Sequence, residues 1–195
     1  MEQTNSQPIL TIEGEKIALG PLDGSSLPLF AKWRNDFEIT AGLAATWRIT
    51  SWAATEKWFA RPNEDETIVR FWIYEQATNR LIGFTSLIDI DRFNRRAEFV
   101  IAIGEKDCWG KGYATEGTAL MLDYGFNWLC LHNIRLRVAS FNKRAIPIYE
   151  RVGFKVIGTW REAQFLGNRM YDEILMDCLA TEFKSPVLQR YLPAD

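Results

Sequence analysis

The stretch EFVIAI (residues 98–103), GEKDC (104–108) and WGKGYATE (109–116) decides the fold. Its pattern predicts a central strand, a tight glycine loop and the first turn of a long helix. Glycines let the main chain approach a ligand closely, and a helix N-terminus presents free N–H groups with a partial positive charge. The stretch therefore predicts a phosphate-binding loop, and the rest of the chain must indicate which phosphate-bearing molecule it holds.

Two nucleotide-binding motifs come close to this loop without fitting its spacing. The P-loop pattern GxxxxGK[ST] has four residues between its glycines, whereas five separate Gly104 from Gly110. Gly112 also stands where that pattern needs a Mg²⁺-binding Ser or Thr. In the dinucleotide pattern GxGxxG, Thr115 occupies the third glycine position. The spacing therefore argues against a protein that binds an NTP.

The segments around the loop predict a mixed sheet. Strands over 67–74, 80–90 and 97–103 are joined by short turns, so they should be antiparallel neighbours. A helix over 113–129 connects strand 97–103 to a strand over 134–140, and this βαβ order makes the two strands parallel. The fold class is therefore α+β, with a mostly antiparallel mixed sheet flanked by helices. A splayed parallel strand pair leaves a cleft at the strand ends.

The N-terminal third predicts a short strand and two helices. The strand covers 17–19, and helices cover 26–35 and 52–60, the second ended by Pro62-Asn63. Residues 37–50 between the helices are predicted to be irregular.

The C-terminal third predicts one helix, two strands and a tail. Pro147 lies near the middle of a helix over 142–152, so a kink or a late start is expected, with Gly153 as the C-cap. The last strands cover 154–160 and 169–178, joined at Gly167-Asn168, and composition predicts an exposed tail over 179–195.

Composition limits the class of protein. A length of 195 residues predicts one domain over 1–195, and a net charge of −2 without a basic block argues against a nucleic-acid partner. Three widely spaced cysteines without a CxxC pair, and the single His132, which reads as a loop residue, predict no metal site. These free thiols, and the lack of an apolar run near the roughly 20 residues that span a membrane, predict a cytoplasmic location. A monomer or a homodimer fits the sequence.

The segment WGKGYATE resembles the acetyl-CoA motif Gln/Arg-x-x-Gly-x-Gly/Ala of the GNAT superfamily of N-acetyltransferases. Gly112 and Ala114 match its last two fixed positions, and Trp109 departs from the first in the manner of the RimJ/RimL-like branch. Downstream, residues 142–145 and 149–154 resemble the family's N-x-x-S/A and Y-E-K-x-G-F segments. The resemblance covers about residues 14–178 and implies a GNAT-type fold whose splayed strand pair forms an acyl-CoA cleft.

The resemblance implies acetyl-CoA as the acyl-donor co-substrate. Backbone N–H groups of the loop would hold its pyrophosphate, and the main chain of strand 97–103 would pair with its pantetheine arm and polarise the thioester carbonyl. Asn142 would bind the arm from the other side, and Lys143 with Arg144 would either meet the ribose phosphate or form a solvated helix start. The predicted cofactor-binding residues are Ile101, Ala102, Ile103, Trp109, Gly110, Lys111, Gly112, Tyr113, Ala114, Asn142 and Lys143.

Two residues are the candidates for acid–base catalysis. Tyr149 matches the family's general-acid position, from which it would protonate the departing CoA thiolate; its alternative role is a packed aromatic ring. Glu98, on the central strand beside the cleft, is the candidate base, and its alternative role is a carboxylate that ties strands together. Asp89, Asp91 and Glu150 are weaker candidates for the base. No Ser or Cys has an obvious base partner, which favours direct attack in a ternary complex.

The function predicted is acetyl-CoA-dependent N-acetylation of a primary amine. The acceptor is either a protein N-terminal α-amine or a small amine such as an amino sugar, a polyamine or an antibiotic. Its groove is predicted from residues about 30–50, 86–95 and 160–170, with Trp47, Arg48 and Phe93 as walls. A second hypothesis is a GNAT-fold domain that binds acyl-CoA without turnover, against which Tyr149 and the intact loop argue.

Overall fold

An eight-stranded mixed sheet runs through the structure, a computed structural model that describes residues 7–43 and 49–193. The strand order is β1-β2-β3-β4-β5-β6-β8-β7, and β5–β6 is the parallel pair among the described strands. Strands joined by short turns are antiparallel, as the sequence predicts. The strand bounds are Ile12–Glu13 (β1), Ile17–Gly20 (β2), Val69–Glu75 (β3), Arg80–Asp91 (β4), Arg96–Ile103 (β5), Asn133–Ala139 (β6), Lys155–Leu166 (β7) and Arg169–Leu179 (β8).

Helices cover both faces of this sheet. One face packs an aliphatic cluster around Leu120 and Ile134, and the other packs an aromatic cluster around Phe30, Trp33 and Trp72. Much of the chain's heavy aromatic content therefore serves as core packing. In the described parts of the chain, none of the helices combines the length and apolarity needed to cross a membrane. The helix bounds are Leu27–Arg34 (α1), Phe37–Thr40 (α2), Trp52–Glu64 (α3), Tyr113–Asp123 (α4) and Ile146–Val152 (α5).

Strands β5 and β6 pair over only three residues each. Arg96, Ala97 and Glu98 lie opposite Asn133, Ile134 and Arg135, and no pairing of β5 with β6 follows. Strand β6 continues instead along β8 as far as Ala139. The edge of β5 from Phe99 onward is therefore open on this side. This confirms the predicted α+β sheet with one splayed parallel pair.

Helix α3 continues through Pro62 to Glu64, so the predicted helix end before Pro62 is wrong. A proline inside a helix has no N–H to donate to the carbonyl four residues earlier. That carbonyl belongs to Trp58, and it accepts a hydrogen bond from Arg70 Nη1 of β3 at 2.9 Å. A tertiary contact thus satisfies the group that the proline leaves without a donor.

The two helices nearest the cleft also differ from the predicted bounds. The helix predicted over 113–129 is α-helical only to Asp123 and then changes to a π-helical turn over Tyr124–Trp128. Helix α5 begins at Ile146 with Pro147 in its first turn, which confirms the late start. Gly153 caps it with a φ of 117°, a left-handed conformation that favours glycine.

The C-terminal segment is not simply an exposed tail. Leu188 is 6% exposed and packs against the aliphatic cluster. The fully buried carboxylate of Asp123 accepts hydrogen bonds from the backbone N–H groups of Val187 (2.9 Å) and Leu188 (2.8 Å) and from the Ser185 hydroxyl (2.6 Å). The segment's composition predicted exposure because it cannot reveal a partner that lies about sixty residues earlier in the chain.

Replacing Asp123 with Ala should release this segment and destabilise the fold. The substitution leaves the buried N–H of Leu188 and the partly buried N–H of Val187 without an acceptor, so we expect a loss of about 2–4 kcal/mol in the free energy of unfolding. Urea denaturation measures this loss, and limited proteolysis should show earlier cleavage after residue 180. The exposed Glu66→Ala is the matched control. Equal stability of the two variants would contradict the role given to Asp123.

Candidate active site

A cleft of about 840 Å³ opens where β5 and β6 part. One wall is the open edge of β5 and the glycine loop, and another is the start of α5 with the turn before it. Residues 38, 39 and 41–43, in α2 and just after it, close a third side. Of the predicted cofactor-binding residues, all except Lys111 line this cleft, namely residues 101–103, 109, 110, 112–114, 142 and 143.

The glycine loop has the conformation that a phosphate cradle requires. Gly110 and Gly112 have φ values of 77° and 87°, which side chains other than glycine rarely tolerate. Gly112 occupies the N-cap of α4 and offers no side chain to cap it. The first N–H groups of α4 are therefore free for an anion, whose negative charge the helix dipole also favours.

Trp109 explains why an aromatic residue can replace the Gln or Arg of the family motif. Its indole Nε1 donates a hydrogen bond to the carbonyl of Ile103 at 2.8 Å. This bond fastens the loop to the last residue of β5, while the indole packs against the aromatic cluster. The loop is thus held in place by its own side chain before any ligand binds.

The turn between β1 and β2 supports the loop from the other side. The Glu116 carboxylate in the first turn of α4 accepts hydrogen bonds from the backbone N–H groups of Glu15 and Lys16. Lys16 Nζ then reaches the carbonyl of Lys111 at 3.4 Å. The Lys111 ammonium itself lies 5.9 Å from the centre of the Tyr113 ring and does not line the cleft.

Tyr149 of α5 lines the cleft, and its ring packs against Phe99 and Phe154. Burial raises the pKa of its hydroxyl to about 12. The phenol is therefore protonated at neutral pH, which is the form that a general acid needs. Its assigned role stays a prediction, but both its position and its protonation state suit that role.

Cys108 lies at the base of the same cleft and is only 1% exposed. Burial raises the pKa of its thiol, so the nucleophilic thiolate is disfavoured. This argues against an acyl-enzyme on Cys108.

His132 lies in the loop before β6, and the described residues contain no group of three or more His, Cys, Asp or Glu side chains that is arranged to hold a metal ion.

Asn142 and Lys143 stand at the entrance of the cleft. Asn142 Nδ2 donates a hydrogen bond to the carbonyl of Gly42 at 3.2 Å, so it joins the α2 side to the α5 side. The side chains of Lys143 and its neighbour Arg144 are exposed. They can meet an anionic group at the mouth without loss of an existing ion pair, because neither has a salt bridge to a described residue.

Glu98, the predicted base, lies on β5 but does not line the cleft. Glu98 is 5% exposed, and its carboxylate pairs with Arg135 Nη2 at 3.3 Å and with Arg137 Nη2 at 3.0 Å. Two guanidinium groups of β6 bind the carboxylate, so the geometry matches the alternative role of tying strands together. Of the weaker candidates, Asp91 is also engaged, by Asn94 and Arg96.

The structure describes only part of the predicted acceptor groove. Phe93 is 94% exposed on the β4–β5 turn and is not part of the cleft lining. Trp47 and Arg48 lie outside the described residues. The connection predicted over 160–170 is mostly regular strand, with a turn at Gly167 and Asn168 whose φ values are 57° and 63°. The sequence analysis missed two buried polar groups in or near this region, Gln164 on β7 and Glu173 on β8.

The fold and the cleft together define an acyltransferase that uses a CoA thioester. Residues 16–155 match the family described as the Acetyltransferase (GNAT) domain, so the protein belongs to the GNAT superfamily. The spermidine N(1)-acetyltransferases of Vibrio cholerae serotype O1 and Escherichia coli K12 are each 33% identical to it, over 172 and 131 residues. These alignments cover 82% and 61% of this chain and 96% and 70% of the relatives. YdaF of Bacillus subtilis, a putative ribosomal N-acetyltransferase, is 29% identical over 104 residues, covering 53% of this chain and 56% of that protein.

Solved structures agree with this assignment. The crystal structure of spermidine N-acetyltransferase from Vibrio cholerae in complex with CoA and spermine matches with a TM-score of 0.81 at 30% identity. The match covers 87% of this chain and 98% of that one. The GNAT fold, the use of acetyl-CoA and the N-acetyltransferase activity predicted from the sequence are therefore confirmed.

Gly112→Val should weaken acetyl-CoA binding by about 10-fold or more, which is the loss of about 1.4 kcal/mol. An added Cβ would meet only Lys16 Nζ, at 3.5 Å, so the cost comes from the positive φ and from blocked approach of the phosphate. Isothermal titration calorimetry with acetyl-CoA measures the change. Gly24→Ala, where the added Cβ has room and no positive φ is needed, is the control. Unchanged affinity in Gly112→Val would remove the loop as the phosphate site.

Proposed function

We propose that the protein transfers an acetyl group from acetyl-CoA to a primary amine by direct attack in the cleft between β5 and β6. The observation that carries the proposal is the convergence of three features on one cleft of about 840 Å³. These features are the open backbone edge of β5, the glycine loop at the N-terminus of α4, and the protonated phenol of Tyr149.

The cleft offers a complementary group to each part of acetyl-CoA. The pyrophosphate lies on the N–H groups of residues 110–114, where the helix dipole stabilises its charge. The two amides of the pantetheine arm pair with the open edge of β5 at residues 101–103, as an added strand would. Asn142 binds the arm from the α5 side, and Lys143 and Arg144 meet the ribose phosphate at the mouth.

The departing CoA thiolate then needs one proton donor beside the thioester. The neutral amine nitrogen attacks the carbonyl carbon, the C–S bond breaks, and the CoA thiolate takes the proton of the Tyr149 hydroxyl. The nitrogen gives up its extra proton to water, and a proton from water restores the phenol. A thiolate that forms in an apolar cleft is more basic than one in water, because burial disfavours its charge. The same burial keeps Tyr149 protonated up to its pKa of about 12, so the acid is available at every physiological pH.

Tyr149→Phe should lower kcat by about 100-fold or more, because the departing thiolate loses its positioned acid. The KM for acetyl-CoA should stay within about twofold, since the ring still fills its place against Phe99 and Phe154. Steady-state thiol release measures both constants. Tyr124→Phe, which alters a tyrosine packed on Phe71 away from the cleft, is the control. An unchanged kcat in Tyr149→Phe would exclude Tyr149 as the acid.

The acceptor we favour is a small primary amine of the polyamine type. The support is the similarity to two spermidine N(1)-acetyltransferases, one of which aligns over 96% of its length. A protein N-terminal α-amine is the second candidate, supported by the WGKGYATE loop of RimJ/RimL-like type and by the similarity to YdaF. Three cysteines without a disulfide suit the reducing conditions of the cytoplasm, where both acceptors occur.

An acceptor screen tests this function directly. The protein with acetyl-CoA is offered spermidine, spermine, 1,4-diaminobutane, glucosamine and a peptide with a free N-terminus, and release of free thiol is followed. Fast release with the polyamines supports the first candidate, and release with the peptide alone supports the second. Tight acetyl-CoA binding without thiol release for any amine would favour an acyl-CoA-binding protein that does not turn over.

A further inference from the structure

The β3–β4 hairpin holds the glycine loop on both of its sides. The two strands meet at Glu75 and Arg80, which lie opposite each other at the hairpin turn. Glu75 accepts a hydrogen bond from the Tyr113 hydroxyl at 2.5 Å, on the α4 side of the loop. Arg80 donates hydrogen bonds to Asp107, on the β5 side of the loop. Arg80 is therefore a charged group in contact with the loop segment to which the proposed function gives no role.

Arg80 binds two carboxylates of the segment that leads from β5 into the glycine loop. Its guanidinium donates two hydrogen bonds to Asp107, from Nη1 at 2.7 Å and from Nη2 at 3.0 Å. Nη2 also donates a hydrogen bond to Glu105. Two parallel bonds from a planar guanidinium to one carboxylate are the strong form of this ion pair. The bonds lower the pKa of Asp107 and raise the pKa of Arg80, so both groups are charged at neutral pH.

The two carboxylates differ in how far they depend on Arg80. Glu105 Oε1 also accepts a hydrogen bond from Trp33 Nε1 at 2.9 Å and lies 3.6 Å from Lys32 Nζ. Asp107 has no second salt bridge to a described residue, and its side chain is 59% exposed. Without Arg80, the charge of Asp107 would therefore lose its ion pair just ahead of the glycine loop.

The position of Asp107 matters because the loop is proposed to bind a pyrophosphate. Asp107 lies three residues before Gly110 in the chain, and its neighbour Cys108 lines the cleft. Asp107 and Lys111 of the loop are already in electrostatic range of each other. Charges interact across about 8 Å at physiological ionic strength. An uncompensated carboxylate at this position would therefore oppose the binding of an anion on the loop.

We propose that Arg80 neutralises Asp107 and Glu105 so that the glycine loop accepts the pyrophosphate of acetyl-CoA. The inference rests on the proposed function, to whose cofactor site it adds a residue outside the cleft. Arg80 is not among the described residues that line the cleft, so it acts through the two carboxylates and is a positioning residue. Its contribution is electrostatic and falls on acetyl-CoA affinity, whereas the turnover rate does not depend on it.

The test measures acetyl-CoA binding to Arg80→Met, which keeps the apolar stem of the side chain and removes its charge. Isothermal titration calorimetry gives the Kd at about 0.05 M and about 0.5 M NaCl. We expect the Kd to rise about 10-fold at the lower salt concentration, and to lie within about threefold of wild type at the higher one, because salt screens the repulsion. Arg61→Met is the matched control, since Arg61 pairs with Asp65 at 3.3 Å away from the cleft. Its Kd should equal that of wild type.

Two further variants separate the charge of Arg80 from its shape. Arg80→Lys keeps the charge but cannot donate two parallel bonds to one carboxylate, so its Kd should stay within about threefold of wild type. Asp107→Asn in the Arg80→Met background removes the unpaired carboxylate, and it should restore the Kd to within about threefold of wild type. A loss of affinity caused by a distorted loop would not respond to Asp107→Asn.

A thioester without phosphates tests whether the pyrophosphate is the group affected. S-acetylpantetheine carries the acetyl group and the pantetheine arm alone. With the most active amine of the acceptor screen, Arg80→Met should lower kcat/KM for acetyl-CoA about 10-fold. The kcat/KM for S-acetylpantetheine, and kcat at saturating acetyl-CoA, should both stay within about twofold of wild type.

Three outcomes would each overturn the proposal. They are an unchanged Kd of Arg80→Met at the lower salt concentration, a loss that Asp107→Asn does not rescue, and an equal loss with S-acetylpantetheine. The calorimetric measurements need no turnover. A wild type that binds acetyl-CoA but releases no thiol would contradict the proposed function, while the Kd values would still decide the role of Arg80. A wild type that does not bind acetyl-CoA would contradict both.

Discussion

The ion pairs of Glu98 fix the point at which β5 and β6 part, and the rest of the site depends on that point. The carboxylate is almost fully buried and lies between Arg135 and Arg137 of the neighbouring strand. A buried charge without partners is costly, so this cluster strongly favours the register in which Glu98 faces Arg135. Beyond it the two strands have no further pairing, and β5 presents free backbone groups to the cleft. Glu98, the residue predicted as a base, therefore marks the closed end of the opening between β5 and β6.

The buried charged groups on the same face of the sheet bind partners from other elements. Arg70 is buried against Trp58, whose ring centre lies 3.8 Å from the guanidinium carbon, and burial lowers the pKa of Arg70 to about 10. Its hydrogen bond to the Trp58 carbonyl satisfies a backbone group of α3 that Pro62 leaves without a donor. Glu173, at the other end of the face, shares Arg137 with Glu98 and has the longer contact to it, at 3.5 Å.

Local features of the chain were predictable because their cause lies in neighbouring residues. The strand, loop and helix over 98–116 follow from side-chain pattern and glycine placement, and Gly110 and Gly112 have the positive φ values that such a loop needs. The late start of α5 follows from Pro147, and its end follows from Gly153. Features with distant partners were predicted wrongly. Composition suggested an exposed tail, but Asp123 binds residues 187 and 188, and Pro62 suggested a helix end that Arg70 prevents.

By itself the sequence determined the α+β fold, because that fold follows from a run of short segments in order. The acetyl-CoA loop and Tyr149 as the acid were predicted from the resemblance of such segments to the GNAT superfamily, and the roles of these residues stay predictions. Only the tertiary structure decided that Glu98 is held by two arginines and that Glu173 shares one of them, Arg137. Those properties arise from strands that are adjacent in space while their residues are 39 and 36 positions from Arg137 in the chain. No local pattern encodes which of several carboxylates will find a partner when the sheet assembles, since that depends on the register of strands brought together from distant parts of the chain.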